Sequence, residues 1–186
     1  KPKIPVITIL TREQGVAAKI AKMFYLQYPL YKWVTFKELR GLSRKQFADE
    51  LGKSCLAVWI DDNSGFGTFP LEAMECNTPV IGKIPALVPE WMEGVDDDNN
   101  SVIKNNGVWT NTHVNIPELI STYMKVWLED SVPTELLNGM ESTKGKYTPE
   151  KQKECIENIY ALLVNNRKDE YKAALEQLNK LETEKV

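Results

Sequence analysis

A chain of 186 residues is long enough to bury roughly 70% of its unfolded surface, so it needs no staples to hold a core. Its 42% hydrophobic and 26% charged content suit a globular protein, and a net charge of −3 leaves no basic excess for a nucleic-acid sleeve. No apolar run approaches the ~20 residues of a bilayer span, and the start carries no apolar signal segment.

Val6-Ile7-Thr8-Ile9-Leu10 is β-branched and continuous, which predicts a strand buried on both faces. Residues 14–27 follow, with Val16, Ile20, Met23 and Phe24 at helical spacing and Pro29 as the stop. Trp33 to Phe36 reads as a second strand. Ser43 with Gln46 three residues on is a capping-box pattern, and it opens a helix carrying Phe47, Ala48 and Leu51. Cys55 to Ile60 is a third strand, apolar throughout. A glycine-bearing loop from Asp61 to Phe69 leads to a short helix, expected from Pro70 to about Cys76, which Asn77-Thr78-Pro79 ends. Val80-Ile81 is a fourth strand and Gly107 to Thr110 a fifth. Pro117 opens a helix with Ile120, Tyr123, Met124, Trp127 and Leu128 in a wide stripe.

Residues 129–147 are polar, hold Gly139 and Gly145, and read as a connector. Thr148-Pro149 caps a helix with Ile156, Ile159, Tyr160 and Leu163 on one face. A last helix is expected over 167–181, after Asn165-Asn166. Strands alternating with helices predict an α/β fold with a doubly wound parallel sheet. Ligands of such sheets lie beyond the carboxyl ends of the strands.

Cys55, Cys76 and Cys155 are far apart and without a C-x-x-C pair, so neither a disulfide framework nor a zinc ribbon fits. They suit a reducing, cytoplasmic setting. The single histidine, His113, has no partner for a metal motif, and G-x-S-x-G is absent. It reads as a strand-end residue with no chemical role. The run Asp96 to Asn100 fails as an EF-hand loop, because Ser101 and Gly107 stand where Gly and Glu are required.

The chemistry concentrates between Asn63 and Met74. Gly65 and Gly67 permit positive φ and close approach of a ligand to the backbone. The helix behind them aims its N–H groups and positive dipole end at the loop, which suits a phosphate or diphosphate. Glu72, placed near the third position of the expected helix, has two readings. It reaches a hydroxylated ligand, or it serves the helix start as an N3 capping residue.

Ser64 to Ile81 (S-G-F-G-T-F-P-L-E-A-M-E-C-N-T-P-V-I) resembles the E-G-F-G-x-x-x-L-E-A-M-A-x-G-x-P-V-I signature of GT-B glycosyltransferases, the group 1 (GT4-like) family related to glycogen synthase. Pro85 to Glu90 is similar to that family's G-x-x-P-E loop, Leu42 to Leu51 to its V-S-x-x-E-L helix, and Thr11-Arg12 to its G-R turn. The likeness runs from about residue 5 to residue 128 and is specific only in its eighteen-residue centre.

The resemblance implies a Rossmann-like fold: a donor-nucleotide-sugar domain over 1–128, with 129–186 as connector and C-terminal helices packed on it. It implies that Glu72 accepts hydrogen bonds from ribose hydroxyls. Backbone N–H groups of Gly65, Phe66, Gly67 and Thr68 would hold the diphosphate, with Arg12 pairing to the same phosphates. The base would lie near Phe36 to Arg40. No metal or other cofactor is expected. The acceptor, a glycan or lipid-linked molecule, would be held by an N-terminal domain that this chain lacks, and Lys1 stands where a domain of this kind begins. That missing half normally supplies the general base, so no catalytic base is named. Polysaccharide biosynthesis follows as the expected process, cytoplasmic or peripheral to a membrane.

Two departures bear on activity. Ser64 stands where the family has its first acidic residue, and it can exchange a hydrogen bond but not supply a charge. The family's phosphate lysine has no match in Arg12-Glu13-Gln14-Gly15. These departures keep a second reading open, a non-catalytic relative that binds nucleotide or glycan. A UDP-sugar epimerase domain is a third, against which the lack of a histidine-rich cleft counts.

Overall fold

The structure, a computed structural model, describes residues 2–63, 66–92, 102–104 and 106–183, with backbone alone at 102–104, 174–175 and 177–183. Ser64, Gly65 and the acidic run 96–100 lie outside the described residues. The chain divides into two compact units, Lys1–Gly145 and Lys146–Val186.

The first unit is the expected α/β sheet. Its strands are β1 (Ile4–Thr11), β2 (Thr35–Glu38), β3 (Ser54–Ile60), β4 (Val80–Lys83), β5 (Val102–Lys104) and β6 (Gly107–Thr110). They stand in the order β2-β1-β3-β4-β6-β5, every pairing parallel except that of β5 with β6. The helices of this unit are α1 (Val16–Gln27), α2 (Arg44–Lys53), α3 (Thr68–Glu75), α4 (Ile116–Leu128) and α5 (Thr134–Lys146).

Alternation along β3 sorts the core into two layers, because successive side chains point to opposite faces. Leu56, Val58 and Ile60 meet Ala17, Ile20 and Phe24 of α1 and Ile116, Ile120 and Met124 of α4. Ala57 and Trp59 meet Leu51 of α2, Phe69, Ala73 and Met74 of α3, and Leu136 and Met140 of α5. Every residue of β3 is buried, as its unbroken apolar run predicts. Burial pushes the Cys55 thiol up to about 12, which removes it from thiolate chemistry.

Local signals explain most boundaries. Ser43 and Gln46 form the reciprocal capping box at the start of α2. Asn77 ends α3 in the left-handed region (φ 52°), where Thr78 N–H donates to Ala73 C=O and Asn77 N–H to Met74 C=O. That is the double closure which satisfies the last carbonyls of a helix.

Four expectations are corrected. The second strand lies two residues later than Trp33 to Phe36, which leaves Trp33 outside it and 45% exposed. Residues 129–147 are no connector: α5 occupies 134–146 and buries Leu136, Gly139, Met140 and Thr143 on one narrow face. Helix α3 begins at Thr68 rather than at Pro70. The second unit holds one continuous helix, α6 (Pro149–Thr183), because Asn165-Asn166 does not break it. Ile156, Ile159, Tyr160 and Leu163 of α6 are exposed.

Candidate functional site

The parallel register sets the geometry of the carboxyl edge. Thr11 of β1 is opposite Ile60 of β3, so the next residues, Arg12 and Asp61, emerge side by side. They form an ion pair, Arg12 Nε to Asp61 Oδ2 at 2.9 Å, with the Asp61 side chain buried and the Arg12 side chain 70% exposed. Asp61 also accepts from the Asn63 backbone N–H at 3.2 Å. One arm of the Arg12 fork is thereby fixed, and the rest of the guanidinium faces outward, able to meet an anion. One strand further on, Lys83 at the end of β4 donates to Asp62 at 2.6 Å. The edge thus carries two cations, each seated on an aspartate.

Between these pairs the chain turns into α3. Gly67 is the N-cap, in the left-handed region at φ 67°, and no side chain caps the helix. A methyl group at Gly67 would lie 2.7 Å from the Trp59 ring and 3.2 Å from Trp91, so only glycine fits without displacement. Trp91 holds the preceding residue: its indole N–H donates to the Phe66 carbonyl at 2.5 Å. The Trp91 ring packs on Trp59 and Trp109, at centroid distances of 6.0 and 5.6 Å. The turn into α3 therefore rests on buried indoles. A helix start of this kind, with no side-chain cap, is a physical anion site.

With α3 beginning at Thr68, Glu72 is its fifth residue, too deep for the N3 capping role. The structure removes that reading. Glu72 instead lines a groove of about 440 Å3 between α2 and α3, with Arg44, Phe47, Ala48 and Leu51. Loss of hydration raises the Glu72 carboxyl above its ordinary range, and the nearby Arg44 charge opposes the shift. The residues expected near the base run along the end of β2, where Arg40 pairs with Glu38 at 2.9 Å.

Of the expected site residues, Arg12, Phe66, Gly67, Thr68 and Glu72 have described positions; Ser64 and Gly65 do not. Asp61, Lys83 and Trp91 join the site from outside the motif. Asp61 and Lys83 end neighbouring strands, so strand ends on one edge were the available signal. Trp91 had none, since its partner lies 25 residues away. His113 sits in the turn between β6 and α4. Among the described residues no group of three His, Cys, Asp or Glu is placed to hold a metal ion.

The Trp91 hydrogen bond gives a first test. Trp91→Phe keeps an aromatic ring but deletes the N–H, and one such bond is worth about 1 kcal/mol, roughly fivefold. Thermal unfolding is expected to show a loss of about that size, a melting temperature roughly 2–4 °C lower. An unchanged melting temperature would mean that the indole does not hold the turn.

No family model and no curated protein matches the chain. Among solved structures it is similar to the pneumococcal O-GlcNAc transferase GtfA in complex with UDP and GlcNAc. The TM-score is 0.52 at 13% identity, covering 87% of this chain and 36% of that one. It also resembles a GtfA/B complex, at TM-score 0.48 and 15% identity, over 89% of this chain and 37% of that one. The chain thus spans little more than a third of the length of the structures it matches. At 13% identity the likeness is one of fold alone, a Rossmann-like α/β sheet.

Proposed function

We propose that this chain is the donor-binding half of a GT-B glycosyltransferase of the group 1 type. It binds a nucleotide-diphosphate sugar, whose sugar passes to a glycan or other acceptor held by another domain. The observation that carries this reading is the start of α3: a left-handed Gly67 with no side-chain cap, at the carboxyl edge of a parallel sheet, inside an eighteen-residue glycosyltransferase-like signature. The diphosphate lies on the Phe66–Thr68 backbone and the outer face of Arg12. Glu72 takes the ribose hydroxyls, with the base in the groove beside Arg44 and the end of β2. The likeness to a transferase crystallised with UDP and GlcNAc supports the same ligand class.

Glu72 decides the matter by experiment. Glu72→Gln keeps shape and removes charge, which lowers affinity for a nucleoside diphosphate by the charge-assisted contact, about 1.5–3 kcal/mol or at least tenfold. Pyrophosphate, which has no ribose, is expected to bind as before. A carboxyl held above its unfolded pKa costs stability once pH rises past that value, so Glu72→Gln is not expected to lower the melting temperature at neutral pH. Equal weakening of nucleotide and pyrophosphate would remove Glu72 from the ribose site.

Ser64 favours a second reading. Without a carboxylate at that position, a relative that binds nucleotide but transfers nothing fits the same geometry.

A further inference from the structure

A flank of the sheet, along α1 and into the turn that leads to β2, carries a different surface. Residues 14–37 contain no Asp or Glu, in a chain that has 26 of them. This window spans α1 and the turn into β2, and its charged residues are Lys19, Lys22, Lys32 and Lys37. Lys19, Lys22 and Lys32 are exposed. Among them stand three large apolar side chains in water: Leu26 at 73%, Leu30 at 87% and Trp33 at 45% exposure. The turn that lifts them is rigid. Tyr25 donates to the Val34 carbonyl at 2.5 Å, Tyr31 stacks near Trp33 at 5.9 Å, and Phe24 anchors Tyr28, Tyr31 and Phe36 below.

We propose that this face, from Lys19 to Trp33, is a docking surface for an anionic lipid bilayer. Charge complementarity selects the occupant. The chain is net negative, yet the 14–37 window carries lysines and no carboxylate, and lysines beside leucine and tryptophan match a layer of acidic headgroups over acyl chains. Tryptophan favours the headgroup level, and lysine stems lie along apolar surface while their ammonium groups reach outward. The inference does not depend on what the carboxyl edge of the sheet binds.

Co-sedimentation with vesicles tests it. Vesicles of equal parts phosphatidylcholine and phosphatidylglycerol are expected to retain the chain, and phosphatidylcholine alone roughly tenfold less. Lys22→Glu/Lys32→Glu and Leu26→Ser/Leu30→Ser alter exposed side chains only, and each is expected to weaken retention roughly tenfold while melting as the unaltered chain does. Absence of binding, equal binding to both vesicles, or full retention of both variants overturns the proposal. So does a dimer in sedimentation equilibrium that Leu26→Ser/Leu30→Ser dissociates, since the face would then belong to a second copy.

Discussion

Residues 1–186 on their own are expected to bind a nucleotide-diphosphate sugar and to transfer its sugar at a negligible rate. Transfer needs donor and acceptor held in one geometry, and such positioning supplies about 7–11 kcal/mol of a barrier, or five orders of magnitude and more. On the proposed reading, the open side of the Phe66–Thr68 turn faces water where an acceptor domain would close. Water there weakens the attraction of Arg12 and the α3 start for the leaving diphosphate. The measurement compares donor turnover by this chain with turnover by the same residues joined to an acceptor-binding domain. Comparable rates would place a complete active site within these residues, and Asp61, Asp62 and Glu90 would be the acids to replace first.

Gly67→Ala is expected to impair folding. Its φ of 67° strains any side chain, and the new methyl would sit 2.7 Å from a buried indole that has nowhere to move. Strain and overpacking of that kind cost about 1–3 kcal/mol each, so a loss of roughly 2–6 kcal/mol is expected. In a chain of this size that lowers the melting temperature by about 4–24 °C. Gly52→Ala is the opposite case: Gly52 lies within α2, has no positive φ, and nothing stands within 4 Å of the added methyl. It is expected to raise stability by about 0.5–1 kcal/mol. Thermal melts of the two variants check both signs, and an unaffected Gly67→Ala would show that the turn does not rest on Trp59.

The strands were legible where burial is two-sided. β3 is apolar from Cys55 to Ile60 and β1 is broken only by Thr8 between Val6 and Leu10, and no helix pattern competes with such runs. The ends of β2 were not, because Trp33 and Val34 are as β-prone as the strand itself and only pairing with Val6 to Ile9 fixes the register. Helix α5 escaped notice for a physical reason. Its buried face is narrow, Leu136, Gly139, Met140 and Thr143, and two glycines mimic a loop. Asn165-Asn166 misled in the other sense, since length and neighbours outweigh two weak helix formers in a helix of 35 residues. At the site, the motif located the turn into α3. The supports of that turn were hidden, because Arg12 meets Asp61 and Trp91 meets Phe66 only after the strands assemble.

The strand order β2-β1-β3-β4-β6-β5 also bears on how the chain is made. As it leaves the ribosome, β1 and β2 can pair through α1, and β3 then joins the free side of β1. β4 adds to β3 in the same way, so up to that point the sheet grows by accretion and no strand is forced between two already joined. The exception is the last hairpin. β5 emerges before β6 yet lies outside it, so β6 enters against β4 already carrying its antiparallel neighbour. Until that hairpin docks, the growing sheet presents an open edge, the state in which nascent α/β domains are most prone to join one another.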